Sequence, residues 1–473
     1  MSRPDTSYRQ IIGLSTPVML SQLSYTAMGI IDTIMVGRVG VVALASVGLG
    51  SILFWWLLSF FWGMLAGVNT LVSQAEGAGD RKAAGVAFWQ GIYLGLFLSV
   101  LVFVLWPLAP HLMSWTGASP EVQDNAAAYM QIRLLGAFGL MLLMACDNFY
   151  RGIGRTDVPM WFGFVKLFLN SGANYVFIFG HLGAPAMGSV GAAVGTAIAN
   201  TVIGVAMLVT LFVRAEFRDV YSLLPRARLH RRVFRALVVL SLPIGIQTFM
   251  EMGGFSVFTA VVARLGDPQL AATDAVIHAW SAAFMLAFAL SVAAQTLVGQ
   301  CIGAGAEEDA RRVTLRILRL GGGIMLAPAL AYVLLPETLI ALFVRPSELA
   351  VLLPFARPLF SIVAVCLFFD LIFNVIAGGL RGAGDTTYAM FANVASAWLV
   401  FVPLTLYLAP RHGLVAAWGG VIVYFATMAL LIWIRFRGTA WLKPVVARAD
   451  SADPVTEEDP APTGSAGLER TGS

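Results

Sequence analysis

Long apolar runs, each broken by a short polar or glycine-rich interval, recur along the whole chain. A helix needs about 20 apolar residues to cross a hydrocarbon core. Twelve such spans fit, at 12–36, 44–70, 86–106, 125–150, 158–180, 188–213, 234–262, 270–298, 314–335, 349–379, 386–408 and 414–436. Barrel strands would instead show short alternating segments, so the pattern predicts an all-α membrane protein. The spans form two sets of six. LSTP at 14–17 recurs as LSLP at 240–243, and LVSQAEGAG at 71–79 as LVGQCIGAG at 297–305, both at an offset of 226 positions. RGIGRT at 151–156 recurs as RGAGDT at 381–386, and Gly188, Gly191 and Gly195 recur as Gly413, Ala416 and Gly420. Such small residues let helices pack backbone to backbone. Because six is even, both halves enter the membrane in the same sense, related by an axis along its normal, as in transporters whose two bundles rock about a central seam. The expected organisation is a first six-helix lobe at 1–213, a basic linker at 214–233, a second lobe at 234–438 and a disordered tail at 439–473.

Composition agrees. Of 473 residues, 59% are hydrophobic and 12% charged, against roughly 25% charged in soluble domains; mean hydropathy is +0.81. A net charge of +4 would hint at nucleic acid if the basic residues were clustered on a soluble face, but they fall in alternate loops. One set holds Arg81 and Lys82, Arg151 and Arg155, the run Arg214, Arg218, Arg226, Arg228, Arg231 and Arg232, then Arg311, Arg312 and Arg316, and Arg381; the other has only Arg38, Arg264, Arg345 and Arg411. The positive-inside rule makes the first set cytoplasmic, with both termini. A bacterial cytoplasmic (inner) membrane, a monomer in contact with lipid, and no nucleic-acid partner are expected. The polar N-terminus MSRPDTSYRQ leads straight into a full-length span, so no cleavable signal is expected. From Asp450 the tail is too poor in apolar residues to fold. Cys146, Cys301 and Cys366 lack metal-ligand or disulfide spacing and read as packing.

The candidate chemistry lies in acids placed where hydrocarbon penalises charge. Asp32, Asp147, Glu251 and Asp370 fall inside spans, while Asp274 lies at the outer edge of one. Asp147 is four residues before Arg151, and an i,i+4 pair accounts for it structurally. Asp32, Glu251 and Asp370 have no basic residue within one turn, so they should face the bundle interior or a wet cavity. Asn170 and Asn174 share one helix face at a depth similar to that of Asp32. A carboxylate and two amide oxygens make a plausible hard-cation cage for Na+; interhelical hydrogen bonding by Asn is the plain alternative. Lys166 lies one turn earlier on that face, and two roles suit it: snorkelling to the cytoplasmic interface, or serving as counter-ion to Asp32.

Burial favours a bound proton on such a carboxylate and a nearby cation opposes it, so a coupling ion and a cationic substrate can compete for one acid. One charge moved down ~100 mV releases roughly 2.3 kcal/mol. Trp55, Trp56, Trp62 and Phe255 could stack on organic cations, although helix packing and interface belts also explain them.

TAMGIIDTIMVGR in the first span, SQAEGAG after the second, LNSGANYVFIFG in the fifth, LPIGIQTFME in the seventh and DLIFNVIAGGLRGAGDT in the tenth together resemble the multidrug and toxic compound extrusion (MATE) family, most closely its NorM-type branch, over residues 8–438. The resemblance implies a V-shaped pair of six-helix bundles and an antiporter, not an enzyme, that exports organic cations in exchange for Na+ or H+. It carries the branch's first-span acid onto Asp32, its fifth-span asparagines onto Asn170 and Asn174, its seventh-span Glu onto Glu251, eight after Pro243, and its tenth-span Asp onto Asp370, eleven before Arg381. Where Na+ rather than H+ is the coupling ion, its expected place is either Asp32, Asn170 and Asn174 or Glu251 and Asp370. Lys166 is outside the family pattern.

The rival within the superfamily is a lipid-linked saccharide flippase, whose pyrophosphate cargo should demand several Arg or Lys in the cavity; the buried charges legible in the sequence are mainly acidic. An intramembrane hydrolase or acyltransferase would need a nucleophile and base, but His111, His181, His230 and His412 fall in or beside loops and only His278 lies well inside a span, where it reads as a satisfied histidine. No charge ring or filter-like loop supports a channel.

Overall fold

A computed structural model describes residues 4–224, 228–344 and 346–442; Arg226, Arg345 and the tail from 443 onward lie outside these. The described residues contain no strand. The first half runs α1 (Tyr8–Gly37), α2 (Val41–Leu65) continuing into α3 (Gly67–Gly77), α4 (Arg81–Val104), a short α5 (Ala109–Ser114), α6 (Pro120–Leu135) and α7 (Ala137–Gly152), α8 (Asp157–Phe179) and α9 (Ser189–Val213), followed by a single turn, α10 (Ala215–Arg218). The second half runs α11 (Arg231–Ala263), α12 (Asp267–Gly303), α13 (Glu307–Leu334), a short α14 (Pro336–Ala341), α15 (Pro346–Ala383), α16 (Thr386–Ala395), a π-helical stretch Ser396–Phe401, and α17 (Val402–Arg437).

Among the described residues, nine helical stretches are long and apolar enough to cross a membrane, and α6 with α7, bent by 48°, makes a tenth. One of the nine, Thr386–Arg437, holds two of the twelve expected spans. They divide at Gly413, whose φ of 78° lies in the left-handed region that glycine adopts without strain. α1 completes the set; it falls short of that apolar measure because Ser15, Ser21, Gln22, Ser24 and Asp32 interrupt it. Helix starts follow local chemistry: Ser7 accepts from the Gln10 amide at the head of α1, and Asp80 from the Ala83 amide at the head of α4.

Each lobe has its own apolar core. Phe54, Phe88, Phe149 and Tyr150 anchor the first, and Phe258, Phe360, Trp418 and Tyr424 the second. The exceptions are reciprocal. Ile11 and Leu14 at the start of α1 pack into the second-lobe core, while Leu237 and Leu240, their equivalents at the 226-residue offset, pack into the first-lobe core. The segments leading into α1 and α11 are held in the same crossed fashion. Arg316 donates to the Thr6 carbonyl at 2.7 Å, and Gln90, its equivalent in the first half, brackets the other segment by donating to the Arg228 carbonyl and accepting from the His230 amide. The two lobes therefore exchange their first helical turns at the end that carries the arginine-rich loops, called here the basic end.

The linker packs on the first lobe: Phe217, Tyr221 and Leu223 are buried there, and the Trp89 indole donates to the Leu223 carbonyl at 2.6 Å. One boundary differs from the sequence reading. The first residues assigned to the tail are packed, because Trp441 stacks on Phe436 and donates to the Phe436 carbonyl at 3.1 Å, burying its ring in the second-lobe core.

Candidate functional site

The lobes meet along a polar seam at the basic end. Gln74 donates to the Gly382 carbonyl at 2.8 Å and Gln300 to the Gly152 carbonyl at 3.4 Å. The Thr70 hydroxyl donates to the Arg381 carbonyl at 2.9 Å and the Thr296 hydroxyl to the Arg151 carbonyl at 3.2 Å. These are pseudo-two-fold mates, since Gln74 and Thr70 correspond to Gln300 and Thr296, and the RGIG turn to the RGAG turn. Glycines make the approach possible: a Cβ on Gly77 would run into the Gln300 carbonyl, and one on Gly303 into the Gln74 carbonyl. Nearer the middle, Trp56 stacks on Phe249 and Trp62 on Phe288 across the seam. Among the described residues, the hydrogen bonds that join the lobes extend no further from the basic end than Gln22 to Met285. Asp32 lies ten residues beyond Gln22, about 15 Å along the helix. This is a V closed at the basic end.

Within the first lobe, α8 presents Lys166, Asn170 and Asn174 on one buried face. Asp32, half-buried on α1, accepts from the Asn174 amide nitrogen at 2.6 Å. The same nitrogen reaches Asn170 Oδ1 at 3.3 Å, and Asn170 in turn donates to Thr196 on α9 at 3.1 Å. Asn174 Oδ1 points away, against Gly195, where a Cβ would strike it, and has no partner among the described residues. The structure thus brings Asp32, Asn170 and Asn174 together and adds Thr196 and Gly195.

Two cations lie nearby: Lys166, which its spacing already placed on this helix face, and Arg133, which the sequence reading did not single out. Lys166 is 3% exposed, so of the two roles open to it snorkelling is ruled out; its ammonium sits 4.4 Å from the centroid of the Tyr25 ring, with Arg133, Asp147 and Asp32 as charged neighbours. Arg133, buried in the last turn of α6, lies 4.3 Å over the Phe54 ring, donates to the Tyr129 hydroxyl at 3.4 Å and is likewise an electrostatic neighbour of Asp32. Among the described residues neither Lys166 nor Arg133 has a carboxylate at salt-bridge distance. Asp147 is different: Arg151 grips it at 2.6 Å, both side chains being buried.

The second lobe gathers Glu251 and Asp370 with residues the sequence reading did not single out. Asp370, 3% exposed, accepts from Asn374 at 2.7 Å with one oxygen, while the other has no partner among the described residues. Glu251 lies beside Asn393 and within electrostatic reach of Arg381 and Asp370, with Tyr424 closing the group. Arg381 is not a loop residue. It occupies the last turn of α15, with Glu251 as its acidic electrostatic neighbour and no carboxylate at salt-bridge distance among the described residues. The repeat held the signal: Arg151 has Asp147 four residues before it, whereas Arg381 has Ala377 there and must find its acid elsewhere. Asp370 Oδ2, Arg381 Nε and Asn393 Oδ1 are all buried without partners among the described residues; such atoms are rare in native interiors and cluster where ions or ligands bind. His278 is exposed, stacked 6.1 Å from Phe343, and is not the satisfied core histidine expected.

Two pseudo-symmetric helical bundles, each with ionisable groups among its apolar helices and joined by a polar seam at one end, have the architecture of a polytopic membrane transporter. The MatE family model matches residues 17–176 and 243–407, most of the chain, and the protein belongs to that family, the MATE transporters. Among solved structures, the chain resembles a MATE protein in complex with MaL6, at 20% identity over 95% of this chain and 97% of that one, with a TM-score of 0.84. It resembles an outward-facing multidrug resistance MATE transporter of the MOP superfamily at 19% identity over 93% and 96% of the two chains, with a TM-score of 0.83. A MOP superfamily transporter from Pyrococcus furiosus, described as having a binding pocket of reverse polarity that suggests a different function, matches at 19% identity over 92% and 96%, with a TM-score of 0.84.

Proposed function

We propose that this chain is a secondary antiporter that exports amphipathic organic cations in exchange for H+ or Na+ by alternating access. The observation that carries the reading is the linkage between acids and seam. Arg381 has Glu251 as its acidic electrostatic neighbour and accepts from Thr70 through its carbonyl, so a change of charge around Glu251 and Asp370 bears on the residue whose backbone closes the basic end. With the basic end cytoplasmic, as loop charge favours, the V opens outward, and ion binding at the carboxylates competes with the departing cation. The membrane is the bacterial cytoplasmic membrane and the working unit a monomer.

Arg133 and Lys166 favour one second reading, because an anionic cargo such as a lipid-linked saccharide pyrophosphate needs buried cations. A binding pocket of reverse polarity has been described for the Pyrococcus transporter, which shares this fold. The cation reading is preferred since Glu251 and Asp370 outnumber Arg381 in the second lobe. Proteoliposomes loaded with a cationic dye, given a Na+ or a pH gradient alone, test it: efflux under one gradient supports the reading. Movement of an anionic dye, and of no cationic one, supports the flippase.

A further inference from the structure

We propose that Lys166 is a built-in cation that makes the first lobe selective against Na+, so that the site around Asp32 takes part in transport without holding a metal ion. The inference rests on the antiporter reading and narrows its coupling ion.

The donor set does not fit a sodium cage. Such a cage needs the Asp32 carboxylate and both asparagine oxygens turned towards one point. Instead Asn174 offers its amide nitrogen to Asp32 and to Asn170 Oδ1, and its own oxygen is directed at Gly195. Turning that amide over would set its oxygen against the carboxylate and lose both hydrogen bonds. Asn170 is fixed in turn through its nitrogen to Thr196, whose hydroxyl is spent on the Ala192 carbonyl.

The charge balance points the same way. Arg133 on α6 and Lys166 on α8 are the cations whose charge reaches Asp32, neither of them at salt-bridge distance from it, and the other acid near Lys166, Asp147, is held by Arg151 on α7. The surroundings of Asp32 therefore already carry one cation more than they have acids, before any ion enters. Sealed in at 3% exposure and lying over the Tyr25 ring, Lys166 cannot withdraw to an interface as a surface lysine would. A sodium ion at Asp32 would share a low-dielectric interior with the Lys166 ammonium, a like charge.

The test is Na+-dependent thermal stabilisation of the purified full chain at constant ionic strength, Na+ against choline, in the wild type, D32N, K166M and K166M/D32N. The expected result is an equal Na+ response in wild type and D32N, with any common shift arising in the second lobe. K166M should gain a further Na+-dependent rise in melting temperature that is lost in K166M/D32N, while K166R behaves as wild type. A wild-type Na+ response that D32N removes, or no gain in K166M, overturns the proposal; should K166M not fold, K166Q serves in its place, and the comparison of wild type with D32N still decides. Failure of the antiporter reading shows separately, as no dye efflux under any gradient.

Discussion

Gln74 donates across the lobe boundary to the carbonyl of Gly382. Its repeat mate Gln300 makes the mirror contact to Gly152, so the basic end is closed by one motif used twice. Because the same backbone carbonyls belong to the turns that follow Arg381 and Arg151, the closure reports on both lobes at once.

Weakening that closure should open the seam in steps. Thr70→Val and Thr296→Val each remove a hydroxyl that bonds across it, costing about 1 kcal/mol apiece, or roughly five-fold in the ratio of closed to open seam. Spin labels placed one per lobe at the basic end should show a growing long-distance population, largest in the double variant. Unchanged distances in all three would refute the clasp.

Asp32→Asn and Asp370→Asn should each abolish ion-driven efflux of a cationic dye in proteoliposomes. Both proteins should remain inserted and monodisperse, since the asparagine keeps the volume and can still meet Asn174 or Asn374. Full efflux in both removes the proposed mechanism.

Arg381→Met should leave Glu251 facing no cation. Both residues are half-buried, so the cost should be about 2 kcal/mol, below the roughly 3–5 kcal/mol of breaking a fully buried pair. Glu251→Gln in the same chain should recover most of the lost thermal stability while efflux stays low; strictly additive losses would exclude the pairing.

Asp147→Asn separates structure from transport. It strips Arg151 of its buried partner and should cost about 3–5 kcal/mol, visible as a lower melting temperature and reduced yield. The protein that survives should retain efflux at a rate per molecule within about two-fold of wild type, because the group is outside both proposed ion sites; an inactive but stable variant would place Asp147 in the pathway.

Much of the fold was legible because bilayer thickness fixes span length and the period of the α-helix fixes which residues share a face. Asn170 and Asn174 could be paired with each other from their spacing alone, and Asp147 with Arg151 likewise. What escaped was proximity between spans: Arg133 near Asp32, Asn393 and Tyr424 near Glu251, and Glu251 as the acidic neighbour of Arg381. Loop charge placed Arg381 at the basic end correctly but said nothing of its side chain.

The sequence by itself determined a two-fold repeated helical membrane protein with acids at membrane depth, since hydrophobic length and internal repetition are one-dimensional properties. It also held the asymmetry, for Asp32 stands in the first half where the second has Phe258, now seen stacked on Phe401 in the second-lobe core. Only the tertiary structure decided which charges meet and which end is closed. Those outcomes depend on how helices rotate and cross, which is settled by packing between segments hundreds of residues apart, as Ile11 in the second lobe and Leu237 in the first illustrate.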